Sequence, residues 1–119
     1  MTTKEIAKQL VAYCRKGDWE GAQTNLYAED AKSTEPYATP EFQKETTGLK
    51  AIRDKSIKFD QIVEQTHGID VSEPLIAGNT IAFALSMDVT MKGQGRMKIE
   101  ELCVYGVNDG KIISEEFFM

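Results

Sequence analysis

The chain changes its periodicity once, near Val63, and that change constrains the fold more than any other feature. Before it, apolar residues recur at helical spacing. After it they alternate, in runs cut by turns at Ala77-Gly78-Asn79, Lys92-Gly93-Gln94-Gly95 and Asn108-Asp109-Gly110. Helices followed by an antiparallel meander predict an α+β arrangement with the helices on one face of the sheet. A strongly curved sheet closed over by helices makes a cone with a hollow inside. At 119 residues the chain is expected to be one domain, spanning 1–119.

The helical half carries its own punctuation. Thr2 and Glu5 fit a capping box, in which hydroxyl and carboxylate satisfy each other's free amides. Ile6, Leu10, Tyr13 and Cys14 then follow at helical spacing, and Gly17 stands where a left-handed cap would end the helix. Asp18 can cap a second, shorter helix with Trp19, Ala22 and Leu26 on one face. Residues 31–35 read as a weak strand ended by Pro36. From Pro36 to Thr47 there are two prolines and little periodicity, which predicts a long loop over an opening. Gly48 opens a third helix bearing Leu49, Ile52, Ser56 and Phe59.

In the strand half, 65–76 places His67, Ile69, Val71, Glu73 and Leu75 on one face. Residues 79–91 set Ile81, Phe83, Leu85, Met87, Val89 and Met91 against Ala82, Ala84, Ser86, Asp88 and Thr90. Residues 96–107 put Met97, Ile99, Glu101, Cys103, Tyr105 and Val107 together, with Glu100, Leu102 and Val104 opposite. A last strand, 111–119, is rich in aromatic and apolar residues.

Composition removes several function classes. A net charge of -5 is the wrong sign for a nucleic-acid binder, which meets phosphates with a basic stripe. The lysines do not cluster as a membrane-surface patch would require, and no apolar run is long enough to span a bilayer. Cys14 and Cys103 are far apart and lack metal-ligand spacing. The opening residues lack the apolar run of a secretory leader, so the expectation is a cytoplasmic chain with two reduced thiols. No cofactor and no metal site is expected: one histidine and scattered carboxylates do not make a ligand set.

Leu26-Tyr27-Ala28-Glu29-Asp30-Ala31, then Ser33-Thr34-Glu35-Pro36, Gly48-x-x-Ala51-Ile52 and the closing Asp109-Gly110-Lys111-Ile112-Ile113 occur in an order and spacing that resembles the nuclear-transport-factor-2-like superfamily. The branch it looks like is the SnoaL-like group, which includes polyketide cyclases. The resemblance covers nearly the whole chain. It implies a cone-shaped roll of three N-terminal helices on a curved, mainly antiparallel sheet (a cystatin-like fold), with a central pocket and often dimerisation through the outer sheet face. The superfamily hosts isomerases, cyclases, dehydratases and non-catalytic adaptors, so chemistry has to be argued from the site.

Three residues are candidates for that chemistry. Glu35 precedes Pro36, at the place where ketosteroid isomerases of the superfamily carry their general base; the alternative is a solvated carboxylate before a turn. Glu101 stands alone among apolar neighbours, and a carboxyl so placed either pairs or keeps its proton. A one-residue slip in register would bury Glu100 in its place. His67 shares a face with Ile69 and Val71, and its imidazole suits proton transfer if it points into the cone; the alternative is a partly buried structural histidine. The isomerase tyrosines of the first and third helices correspond to Leu10 and Ser56, so steroid-type isomerisation is not expected. Trp19, Tyr27, Phe59, Phe83 and Phe117 are read as core.

Two functions remain. One is a small-ligand-binding module with an apolar pocket, a homodimer through the outer face around Ala82, Ala84, Ser86, Leu102 and Val104. The other is an acid–base enzyme of isomerase, cyclase or dehydratase type acting on a small hydrophobic substrate, with Glu35 as base.

Overall fold

A computed structural model describes residues 1–119. Helices α1 (Thr3–Lys16), α2 (Trp19–Leu26) and α3 (Leu49–Ile62) pack on a sheet of β1 (Tyr27–Thr34), β2 (Glu45–Thr47), β3 (Val63–Val71), β4 (Leu75–Ala77), β5 (Thr80–Met91), β6 (Gly95–Asn108) and β7 (Lys111–Phe118). The sheet runs β2-β1-β7-β6-β5-β3, with β4 also on β5. All pairs are antiparallel except β1 and β7, which run parallel.

The expected signals act as their chemistry requires. The Thr2 hydroxyl accepts from the Glu5 amide, and Glu5 accepts from the Thr2 amide. Gly17 ends α1 at φ 68°, a left-handed conformation that costs other residues a Cβ clash. Asp18 caps α2 by accepting from the Gly21 amide. Ile6, Ala7, Leu10, Val11 and Cys14 form the buried stripe of α1, facing Ile81, Phe83, Leu85, Met87, Val89 and Met91 of β5. Glu101 pairs with Leu85 and Glu100 with Ser86, so Glu101 takes the inner face and Glu100 the outer.

Three expectations change. The strand at 65–76 is two strands, because Pro74 lacks the amide that a ladder needs. Ser72 bridges the break: its amide donates to the Ala84 carbonyl, and its hydroxyl accepts from the Ala84 amide. Within β3 the pairing slips between Thr66 and Gly68, leaving His67 as the extra residue of a bulge. The weak strand at 31–35 is the end of a longer one that begins at Tyr27. Much of its support is the parallel partner β7, a pairing that local propensity does not reveal.

Candidate functional site

The inner face of the sheet and the three helices enclose a cavity of about 320 Å³, open to solvent at one end. Leu10 and Cys14 of α1, Trp19 and Gln23 of α2, and Ser56 and Phe59 of α3 form its helical wall. The sheet wall comes from Leu85 and Met87 of β5, Ile99 to Tyr105 of β6 on alternate residues, and Glu115 and Phe117 of β7. Thr39 and Phe42 bring the loop between β1 and β2 to the mouth; the loop expected over 36–47 ends sooner, because Glu45–Thr47 pair with β1 as a strand. Lys58 anchors that loop, lying over the Phe42 ring and donating to the Glu41 carbonyl. The loop is tied to the sheet by the Glu35 amide donating to Lys44 O at 2.7 Å.

Into this apolar space project three carboxyls and one ammonium. Lys55 Nζ, on α3, lies 2.9 Å from Glu35 Oε2 and 4.0 Å from Glu115 Oε2. It also donates to the Ser33 hydroxyl, which in turn donates to Glu115 Oε2 at 2.6 Å. The Tyr27 hydroxyl donates to the other oxygen of Glu115. These contacts link the mouth (Glu35) to the buried floor (Glu115). The alternation of β1 puts Tyr27 and Ser33 on the same side, and the parallel pairing with β7 sets Ser33 against Glu115.

Burial dominates the electrostatics. It raises the Glu115 carboxyl above its ordinary value even though Lys55, Ser33 and Tyr27 all favour the ionised form. Burial, with Glu115 beside it, pushes the Tyr27 phenol well up. Glu101 has no cation in contact; its one polar neighbour is the Cys103 thiol, 3.8 Å away. Burial first, then the charges of Glu35 and Glu115, push its carboxyl up to about 7. The thiols are suppressed in the same way: burial pushes Cys14 up to about 12, and Cys103 also rises.

The SnoaL-like domain family matches residues 1–119. The chain belongs to the SnoaL-like family. A protein of Mesorhizobium loti, provisionally named as a SnoaL-like polyketide cyclase, is 33% identical over 100% of both chains, with a TM-score of 0.91. A protein of unknown function from Xanthomonas campestris with a cystatin-like fold is 20% identical over 99% of this chain and 90% of its own, at a TM-score of 0.83. TerC, crystallised with polyporic acid, is 16% identical over 98% of this chain and 90% of its own, at 0.77. The last two show the shared fold, which is the cystatin-like or nuclear-transport-factor-2-like roll. No protein of curated function matches the chain significantly.

Within this SnoaL-like frame, Glu35 and Glu101 line the same cavity and His67 does not. The bulge in β3 turns His67 to the exposed outer face, where its Nε2 lies 2.7 Å from Thr90 Oγ1. The expectation of an imidazole inside the cone is therefore corrected. Leu10 and Ser56 line the cavity and bring no phenol to it. Tyr13 lies outside it, its hydroxyl accepting from Asn25 Nδ2. Of the five aromatics read as core, Trp19, Tyr27, Phe59 and Phe117 form cavity wall and Phe83 alone is pure core, stacked on Tyr105.

Sequence reasoning missed Lys55, Glu115 and Gln23. Lys55 sits four residues before Phe59 and one before Ser56, on the face of the third helix already assigned inward. That spacing was the available signal. Glu115 shares the inner face with Phe117, and alternation alone would have placed it there.

Proposed function

We propose that the chain binds a small, mainly apolar molecule in this cavity and moves a proton on it, with Glu101 as the group that takes and returns the proton. The observation that carries this reading is a carboxyl with no cation in contact, pushed up to about 7 mainly by burial, in an apolar hollow large enough for a ligand. A group that is half-protonated at working pH is the efficient choice for general acid–base catalysis. Glu35 is already engaged by Lys55. The geometry therefore favours Glu101 over Glu35 for the role of base, and leaves Glu35 to hold the ammonium at the mouth.

The reaction class that fits is proton abstraction next to a carbonyl. Ionised Glu101 takes the proton from the carbon next to the carbonyl; the C–H electron pair becomes the C=C bond of the enolate as the carbonyl π pair moves to oxygen. Lys55 supplies positive charge for the enolate. Return of the proton from Glu101 to another carbon completes an isomerisation. With one ammonium among three carboxyls, an anionic ligand is disfavoured.

The test is deuterium uptake from D2O at the α-carbon of a panel of cyclic ketones, followed by proton NMR. The expected outcome is acceleration over buffer with an inflection near pH 7, lost in Glu101→Gln. Binding of the ketones with no acceleration would leave a binding module without catalysis. Absence of binding would remove the reading altogether.

A second inference concerns assembly. Leu102 and Phe118 are cross-strand neighbours on the outer face, 46% and 47% exposed, beside Ala84. Exposed apolar residues grouped on a sheet face fit a homodimer contact. Light scattering at micromolar concentration is expected to give a dimer, and Leu102→Glu a monomer; a monomeric wild type sinks this inference. The two buried, unpaired thiols fit a reducing, cytoplasmic setting.

A further inference from the structure

Ser33 is 1% exposed and is no part of the cavity wall, yet it sets where the one cation of that wall stands. The proton roles in its two hydrogen bonds are fixed by chemistry. The Lys55 ammonium has no lone pair and can only donate, so the Ser33 oxygen accepts from it. The Ser33 proton is then committed to Glu115 Oε2, 2.6 Å away. The other oxygen of Glu115 takes the Tyr27 proton. Ser33 is thus a spacer between two opposite charges. Lys55 Nζ touches Glu35 at 2.9 Å but stays 4.0 Å from Glu115, beyond hydrogen-bond reach. A buried ammonium and carboxylate close to direct contact, at about 2.8 Å, unless a group between them takes up the bonds of both. The hydroxyl does that here.

Resting on the reading that Lys55 stabilises an enolate in this cavity, we infer that Ser33 is a positioning residue, whose hydroxyl holds the ammonium on Glu35, beside the ligand, and off the buried Glu115. The two carboxylates compete for one cation on unequal terms. The Glu35 side chain is 25% exposed and that of Glu115 6%, so Glu115 is the less screened and attracts the ammonium more strongly once the spacer is gone. Register gives the direction of that retreat. Lys55 lies over the Phe117 ring, and Phe117 stands opposite Cys103, one inward position along β6 from Glu101. Glu115 stands opposite Tyr105, two inward positions from Glu101. Pairing with Glu115 therefore draws the charge away from the acid that handles the proton.

Two measurements on the full chain test this. In the first, NMR correlations trace the Lys55 ammonium through its hydrogen bonds to carboxylate carbons. The wild type is expected to show Glu35 and not Glu115, and Ser33→Ala to show Glu115. An ammonium that stays on Glu35 alone in Ser33→Ala overturns the inference, whether or not the protein is a catalyst. The second measures deuterium exchange into 2-tetralone. Ser33→Ala is expected to lower kcat about tenfold, the factor one charge-assisted hydrogen bond supports, with KM changed by less than about twofold. Ser33→Thr keeps the hydroxyl and is expected to keep the rate. Adding Glu115→Gln to Ser33→Ala removes the anion that captures Lys55 and is expected to recover most of kcat. A packing defect is not repaired that way, so this pair of changes keeps the test open if Ser33→Thr folds poorly. An unchanged kcat in Ser33→Ala, or a loss that Glu115→Gln leaves untouched, overturns the inference while leaving the cavity as a site. Absence of exchange by the wild type overturns the catalytic reading, and the NMR correlations then decide the position of Lys55 by themselves.

Discussion

Asp88 and Glu101 are carboxylic acids on neighbouring strands of one sheet, and their surroundings move them in opposite directions. Asp88, on the outer face of β5, is held below its ordinary value by the Arg96 guanidinium, which donates to both of its oxygens at 3.0 and 2.8 Å. Glu101, on the inner face of β6, is pushed up to about 7 by burial and by its acidic neighbours. The difference lies in which side of the pleat each residue occupies, since side chains alternate faces along a strand. Water and a mobile cation serve the outer acid. The inner one, largely buried and with no cation in contact, keeps its proton to a higher pH. A sheet with one wet and one dry face can thus hold structural and reactive carboxyls a few residues apart.

The largest effect expected from breaking this contrast is at Lys55, the one cation on the dry side. Lys55→Met strands Glu35 and Glu115 without a counter-charge, and is expected to destabilise the fold by about 3 kcal/mol at pH 8. The loss should shrink as pH falls toward 5, because burial already raises the Glu115 carboxyl and without Lys55 it takes up a proton more readily, and Glu115→Gln in the same background should recover much of it. Urea unfolding at the two pH values measures this; an equal loss at both would show that Lys55 acts through packing alone.

Next in size is Glu101 itself. Its folded value of about 7 lies above the ordinary 4.5, so the folded state holds the proton more tightly than the unfolded chain. Stability linked to this group is full below pH 4.5, falls as pH rises toward 7, and stays reduced above. Glu101→Gln removes that penalty. It is expected to stabilise the protein at pH 8 by up to about 3 kcal/mol and to change little at pH 4. A gain independent of pH would contradict the titration.

The smallest effect belongs to the wet face. Arg96→Ala removes an exposed pair, and exposed pairs contribute little, less still in salt. The urea midpoint at neutral pH in 0.5 M NaCl is expected to be unchanged within error. A clear loss there would mean that the two faces differ less than their carboxyls imply.

Much of this contrast was legible in the residues, and the reasons are local. The alternation of 79–91 and 96–107 fixed which side chains share a face, so Glu101 could be placed among Ile99, Cys103 and Tyr105 and separated from Glu100. Thr2, Gly17 and Asp18 marked helix ends by their own hydrogen bonding or backbone preference. His67 was misplaced because a bulge is decided by pairing across strands, and nothing in 65–76 announces the extra residue. The Lys55 cluster was invisible for a related reason. Tyr27, Ser33, Glu35, Lys55 and Glu115 come from β1, the segment after it, α3 and β7, and only the parallel β1–β7 pairing gathers them.

That parallel seam carries a consequence for how the molecule is made. Ser33 and Glu115 meet although they stand 82 positions apart in the chain, and contacts so distant in sequence are slow to form. On the ribosome, the edge of β1 that β7 will cover stays bare while one helix, α3, and the strands β2 to β6 are synthesised. The cavity is completed last, when β7 slots in beside β1, and a nascent chain stalled before residue 111 would have every wall of its chamber except the one bearing its deepest acid.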